Sequence, residues 1–390
     1  MDWLRTLRGT PLAAVLLFGL VVSWPGAGFA GPREQAKRMH DRLVGVPPSA
    51  AVLTSMQASI EVDNDPVAAA NTAMQNPIFY ISSLKNFATP WTNVPQTVFA
   101  DLNDYTATVI GMIRDNTPFD QVLYGDIIYV PASGYSHTDN LGYQQLEQNR
   151  ADLSDPNVLV LRMQSTLPGS QLPAAATAGV LTTRAAGEAF FSAGTNRRMW
   201  RFTAMNFLCR DMEQLNDITR PADRIRQDIG RSPGGDSRIF HNTCVGCHSG
   251  MDPLAGAFAF FEWDATAGRV VYTPGVVSAK HLINANSYPG GYVTIDDSWI
   301  NLWRAGPNSS LGWRGPAGSG NGMKSLGVEV SASRAFSECQ VEKVFRRVCL
   351  RAPESATDRA AVQTIANDFE AGNRSLRLVF AETAAFCMGN

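Results

Sequence analysis

Near the C-terminus, apolar side chains recur at spacings of three and four residues, which is the period of an α-helix. The pattern predicts three amphipathic helices, and the first ends before Pro353 because proline cannot continue a helix. Their apolar positions are Phe336, Val341, Val344, Phe345 and Val348, then Ala361, Ile365 and Phe369, then Leu376, Val379 and Phe380. We expect these helices to cover the apolar side of the region that precedes them.

The N-terminal half shows the same helical period. Apolar residues at positions 98, 102, 105, 109 and 113 predict one face of a helix that ends near Asn116, ahead of Pro118. A second helix is predicted from Pro118, where proline suits the first turn, through Ile127 to Pro131. Because β-branched runs are few, the sequence predicts a mainly α protein.

The first thirty residues have the pattern of a secretory signal peptide. Arg5 and Arg8 precede an apolar run over residues 12–22, and residues 27–30 offer small side chains to a signal peptidase. An uncleaved N-terminal anchor is the alternative. Beyond residue 30 no apolar stretch approaches 18 residues, so the mature chain is expected to have no integral membrane span.

A segment rich in proline, alanine and serine, residues 167–177, predicts a domain boundary. We therefore expect a signal peptide over 1–30, a helical N-terminal domain over 31–175, and a second domain over 176–390. The formal net charge of -2 is spread without long runs of either sign, which argues against a nucleic-acid partner.

The densest chemistry in the chain is a C-x-x-C-H motif, formed by Cys244, Cys247 and His248. Two cysteines at this spacing can hold one covalently attached haem c through two thioethers, while the adjacent imidazole ligates the iron. The alternatives are a redox C-x-x-C pair or half of a zinc site, but the sequence has no second C-x-x-C. The motif also agrees with an exported protein.

Several local expectations follow from a haem at this motif. Asp236 or Ser237 is expected to cap a short helix that leads into the cysteines. Gly246 is expected to let the backbone run close to the macrocycle. The second ring nitrogen of His248 needs an acceptor, for which a backbone carbonyl near Pro253 is a candidate.

Segments on both sides of the motif resemble cytochrome-c-like families of uncharacterised function found in planctomycetes and myxobacteria. The resemblance is carried by residues 179–183, by Arg197-Arg198-Met199-Trp200 and Phe207-Leu208-Cys209, by the haem motif, and by Met251-Asp252-Pro253-Leu254. Glu262 and Asp264 fall two or three positions later than the acidic residues of those families. The resemblance implies an exported haem protein, with a cytochrome-c-like region embedded between the helical N-terminal domain and the C-terminal helices.

The iron's second axial position has two candidate ligands. Met323 lies in the glycine-dense segment 318–327, which is predicted to be a loop, and this order of haem motif and distal methionine resembles class I cytochromes c. His281 is the other candidate, because imidazole also serves as an axial ligand. A position with neither ligand would leave the iron open.

Four further cysteines remain, Cys209, Cys339, Cys349 and Cys387. In an exported chain an even remainder predicts two disulfides. If Cys339 and Cys349 share a helix they are about 15 Å apart at ~1.5 Å per residue, too far to pair. Cys209 is then expected to pair with one of them and Cys387 with the other, unless some are buried free thiols.

These patterns together predict a periplasmic or cell-surface c-type cytochrome with one haem, which transfers single electrons to and from a redox partner protein. The first alternative is a haem enzyme, peroxidase-like or oxygenase-like, with an open distal site. The second is a subunit of a membrane-associated or surface assembly in which the haem is structural, since residues 31–175 exceed what electron transfer requires.

Overall fold

The structure, a computed structural model, describes residues 30–192 and 195–389. The predicted signal peptide lies outside the described residues except for Ala30. The α-helices of the described part are α1 Pro32–Val44, α2 Ala50–Glu61, α3 Pro66–Ala73, α4 Lys85–Ala88, α5 Asp104–Arg114, α6 Leu141–Gln148, α7 Arg184–Phe190, α8 Arg197–Phe207, α9 Ser237–Ile239, α10 Val245–Ala255, α11 Gly322–Ser331, α12 Arg334–Cys349, α13 Ala356–Ala371 and α14 Leu376–Cys387.

Strands form only short antiparallel pairs in the described part. They are β1 Ile128–Pro131 with β2 Leu159–Arg162, β3 Phe261–Asp264 with β4 Arg269–Tyr272, and β5 Ser298–Ile300 with β6 Ser319–Asn321. Helix accounts for 54% of the structure and strand for 7%, which confirms the mainly α class. The described residues include no helix that is long and apolar enough to cross a membrane.

The three predicted C-terminal helices are confirmed as α12, α13 and α14. Each begins at a serine whose side chain accepts a hydrogen bond from the backbone of the first turn: Ser333, Ser355 and Ser375. Local signals were therefore sufficient to define these elements, because each helix has both a cap and an apolar face.

Two of the other local predictions were wrong. Pro118 precedes only a single 3-10 turn, Phe119–Leu123, and the apolar run that follows is β1 instead of a helix. β1 pairs with β2, a partner about thirty residues along the chain that the helical period could not reveal. Likewise, residues 319–331 contain β6 and α11, so Met323 lies in the first turn of a helix and not in a loop.

One large apolar cluster extends from Ala36 to Cys387 and includes residues from both sides of position 175. On α14, the ring of Phe380 lies 5.4 Å from that of Phe79 and 5.2 Å from that of Phe87. Trp91 packs edge-on against Phe207 on α8, with ring centroids 6.0 Å apart. The C-terminal helices thus cover the N-terminal helices as well as the region between them, and the domain boundary near residue 175 stays a prediction.

Two disulfides connect the helices, Cys209–Cys339 and Cys349–Cys387. The first joins the segment after α8 to the middle of α12, and the second joins the ends of α12 and α14. Cys339 and Cys349 do share α12, so each takes a partner from elsewhere, in agreement with the expected pairing.

Candidate functional site

The C-x-x-C-H motif lies at the start of α10, after a change of helix type. Asp236 caps the short helix α9 through a hydrogen bond from the backbone of Arg238, as expected. A π-helical turn, Phe240–Cys244, then leads into α10. Such turns are rare and frequently occur at functional sites, although a second one, Phe79–Leu84, lies in the apolar core. Here the turn ends at the first cysteine of the motif.

Cys244 and Cys247 are both free thiols and both partly exposed. Cys244 packs against a small apolar cluster made of Ile225, Phe240 and Val245. The thiol of Cys247 lies 3.3 Å from the carbonyl oxygen of Met212. Burial raises the pKa of the Cys247 thiol, and nearby Glu213 adds to the effect. The two sulfurs are therefore available, but Cys247 is not tuned to be a thiolate at neutral pH.

The imidazole of His248 is oriented by a carboxylate one turn further along α10. Its Nδ1 lies 3.0 Å from Oδ1 of Asp252, whose side chain is fully buried. An ionised carboxylate only accepts hydrogen bonds, so Nδ1 carries a proton, and in the neutral imidazole the lone pair is then on Nε2. Nε2 makes no hydrogen bond to any described residue, and the side chain is 19% exposed. In that neutral tautomer the imidazole can bind a metal through Nε2.

Asp252 is held in its ionised form by a buried charged network. Arg197, at the start of α8, contacts both carboxylate oxygens, with its Nε 2.6 Å from Oδ1 and its Nη2 2.9 Å from Oδ2. The backbone N–H of Arg226 donates to Oδ2 at 3.1 Å. Burial by itself raises the pKa of Asp252, but Arg197 and His248 outweigh it, so the pKa lies well below its ordinary range.

Arg197 also pairs with Asp228, its Nη1 lying 2.5 Å and its Nη2 2.8 Å from the two carboxylate oxygens. The side chain of Arg226 is buried beside this pair, and burial lowers its pKa to about 10 although Asp252 opposes the shift. The network therefore contains two arginines and two aspartates, so its formal charges cancel.

Two glycines of α10 allow close packing, each against a different neighbour. A Cβ at Gly246 would lie 1.5 Å from the side-chain oxygen of Asn216, so this glycine admits the segment 216–218. A Cβ at Gly250 would lie 2.1 Å from the indole of Trp303, which is fully buried. The backbone at Gly246 thus lies close to another segment of the protein. Its expected approach to the macrocycle stays a prediction.

Neither candidate for the sixth ligand is accessible in this structure. Met323 is 1% exposed and belongs to the large apolar cluster, whereas Cys244 packs against the small one. His281 is 3% exposed, and its Nε2 lies 3.1 Å from the side-chain amide of Asn196. Burial and the nearby Arg226 and Lys280 lower the pKa of His281 to about 2. Either residue reaches an added group only if the side chains that cover it move.

The predictions from sequence include Cys244, Cys247 and His248 but not Asp252 or Arg197. The structure replaces the expected backbone carbonyl near Pro253 with the Asp252 carboxylate as the acceptor for His248. One signal was present: Asp252 follows His248 by four residues, which places both on one face of a helix. Arg197 is 55 residues from Asp252, and no local pattern joins them.

The donor set suits a haem better than a bare metal ion. Within the described ranges, no three or more His, Cys, Asp and Glu side chains are grouped so that they could hold a metal ion. A haem brings the porphyrin nitrogens with it and needs only the two thiols and an axial imidazole from the chain. Free Cys244 and Cys247, beside a histidine of fixed tautomer, meet that need.

Comparisons of the chain with protein-family models, with curated proteins and with solved structures found no match.

Proposed function

We propose that this chain is an exported c-type cytochrome with one haem, which transfers single electrons to and from a redox partner protein. The observation that carries the proposal is the combination at the start of α10: two free thiols at C-x-x-C spacing beside a histidine whose Nδ1 is committed to Asp252. Because Nδ1 donates to Asp252, Nε2 of His248 is left to bind the iron.

The chain's own residues supply attachment and orientation. Cys244 and Cys247 would hold the haem through two thioether bonds. His248 is fixed in one tautomer by Asp252, and Asp252 is in turn fixed by Arg197. When bound, the haem supplies an iron centre that exchanges one electron. Because the motif residues are partly exposed, a partner could approach close to this centre.

A redox dithiol accounts less well for the same cysteines. Thiol–disulfide exchange needs a thiolate, and reactive C-x-x-C pairs have lowered thiol pKa values. Burial instead raises the pKa of Cys247. A dithiol mechanism also gives no use to the His248–Asp252 pair.

A second candidate function is a haem enzyme whose distal side is open to peroxide or a gas. It is favoured by the burial of Met323 and His281, which leaves neither side chain ready to close the sixth position. An added optical test separates the two functions. A low-spin spectrum that cyanide, peroxide and carbon monoxide leave unchanged would support electron transfer, whereas a high-spin iron that reacts with peroxide would support the enzyme.

The proposal is tested by producing the chain in a bacterial periplasm that has c-type haem maturation. We expect a mass increase of one haem per chain and a pyridine haemochrome spectrum typical of two thioethers. The double variant Cys244→Ser/Cys247→Ser should lose covalent haem. His248→Ala should lose the axial imidazole, whereas His241→Ala, an exposed histidine in the same segment, should resemble the wild type. A folded wild-type chain that acquires no haem under these conditions would contradict the proposal.

A further inference from the structure

We propose that Asp252 is a positioning residue that sets how strongly His248 donates electrons to the iron, and thereby sets the reduction potential of the centre. This inference rests on the proposed haem function. Its basis is the hydrogen bond between Nδ1 of His248 and Oδ1 of Asp252, 3.0 Å long, on a carboxylate without solvent exposure.

The acceptor's charge is the important feature. A neutral backbone carbonyl would fix the same tautomer, but an anionic acceptor draws the Nδ1 proton more strongly and makes Nε2 a better donor. Stronger donation favours ferric over ferrous iron because the ferric ion carries more positive charge. The buried site screens this effect less than bulk water would. Asp252 therefore lowers the potential relative to the same site with a neutral acceptor.

Arg197 limits the effect of Asp252. Two of its nitrogens contact the carboxylate, at 2.6 and 2.9 Å, so the guanidinium competes with His248 for the same negative charge. Arg197 is itself shared with Asp228. Because the formal charges of Arg197, Arg226, Asp228 and Asp252 cancel, removal of one member leaves a net charge beside His248. The sign of that charge depends on which member is removed.

Because the charges of this network cancel, removal of an acidic member and removal of a basic member should shift the reduction potential in opposite directions. Asp252→Asn leaves one excess positive charge and a neutral acceptor, so the potential should rise. Arg197→Gln leaves one excess negative charge beside a less restrained carboxylate, so the potential should fall. A structural defect around the haem has no reason to shift the potential in opposite directions for the two variants.

The experiment is spectroelectrochemical titration of the haem-loaded full chain. At a fixed applied potential, we expect Asp252→Asn to raise the ferrous-to-ferric ratio about tenfold, equivalent to ~59 mV for a one-electron couple. Arg197→Gln should lower the ratio. Asp223→Asn is the matched control, since it makes the same chemical change at an exposed position three residues before Arg226, and its ratio should stay at the wild-type value.

The outcomes separate this inference from the proposed function. Absence of haem in the wild type contradicts the function itself. Haem-loaded variants whose potentials are unchanged, or shift in the same direction, overturn the role of Asp252 and leave the function standing. If both variants fail to fold, the wild type decides: in its ferrous form, NMR of labelled histidine should show a slowly exchanging Nδ1 proton on His248. An Nδ1 proton in rapid exchange with water would refute the hydrogen bond.

Discussion

At the scale of single residues, α10 can lie against Trp303 only because position 250 has no side chain. A Cβ there would meet the indole at 2.1 Å, and the indole has no room to move because it is fully buried. We expect Gly250→Ala to lower the free energy of unfolding by about 1–3 kcal/mol through overpacking. Denaturant unfolding measures this loss.

Gly230 provides the control for that prediction. A Cβ at Gly230 would meet no atom within 4 Å. Gly230→Ala should therefore leave the stability within about 0.5 kcal/mol of the wild type, as for an ordinary surface substitution. Equal losses in the two variants would contradict the packing argument, because they would trace the cost to backbone conformation instead.

The residues of the candidate site differ in how far the sequence alone could predict them. Cys244, Cys247 and His248 are close together in sequence, so their spacing alone predicts a joint role. Asp252 also lies on α10, but an aspartate four residues after a histidine is common on solvated helix faces. Its contact with Arg197, which lies on α8 and 55 residues away in sequence, is a tertiary contact, and such contacts leave no local pattern.

At the scale of elements, the interface between α13 and α14 contains a carboxyl group whose surroundings disfavour its ionised form. Burial, with a smaller contribution from Asp368 on α13, raises the pKa of Glu382 on α14 from 4.5 to about 7. Between these values the folded chain binds a proton that the unfolded chain has released. The free energy of unfolding therefore falls as the pH rises through this window.

We expect Glu382→Gln to remove that part of the pH dependence. Its stability relative to the wild type should increase as the pH rises from 4.5 to about 7, by about 1 kcal/mol once the partial exposure of the group is taken into account. Urea unfolding across this pH range provides the measurement. Glu354→Gln, at an exposed position just before α13, is the control and should follow the wild-type curve. A constant difference at every pH would rule out titration of Glu382.

Elements also differed in how far the sequence could predict them. α12, α13 and α14 combine a capping serine with an apolar face, and both signals are local. In contrast, α5 is buried along its whole length, so its ends are not marked by a change from apolar to polar residues. It begins at Asp104, after the cap residue Asn103. The helical pattern had placed Val98 in this helix, but Val98 lies before it and is exposed. β1 depends on pairing with β2, a long-range contact.

At the scale of the whole molecule, the disulfides restrict the unfolded chain most where they connect distant segments. Cys209–Cys339 spans 130 residues and Cys349–Cys387 spans 38. Loop-closure entropy predicts losses of about 5 and about 4 kcal/mol when the respective bonds are removed, as upper values. Paired Cys→Ser variants and denaturant unfolding test this. The prediction is contradicted if the paired variants keep the free energy of unfolding of the wild type, and only the wild type loses stability when a reductant is added.

The large apolar cluster leads to a prediction about cooperativity across residue 175. Phe380 on α14 is buried and its ring contacts Phe79 and Phe87 of the N-terminal half, while α14 itself packs on α12. We expect Phe380→Ala to lower the free energy of unfolding by about 3–5 kcal/mol.

Thermal unfolding can be followed by far-UV circular dichroism and by tryptophan fluorescence, most of which comes from residues after position 175. Because the cluster is continuous, the two signals should give coincident midpoints in the wild type, and both should shift together in the variant. Phe386→Ala, on the same helix but 37% exposed, is the matched control and should cost less. If the tryptophan fluorescence keeps its midpoint while the helical signal moves, residues 31–175 and 176–390 unfold as separate domains, and the shared core does not couple them.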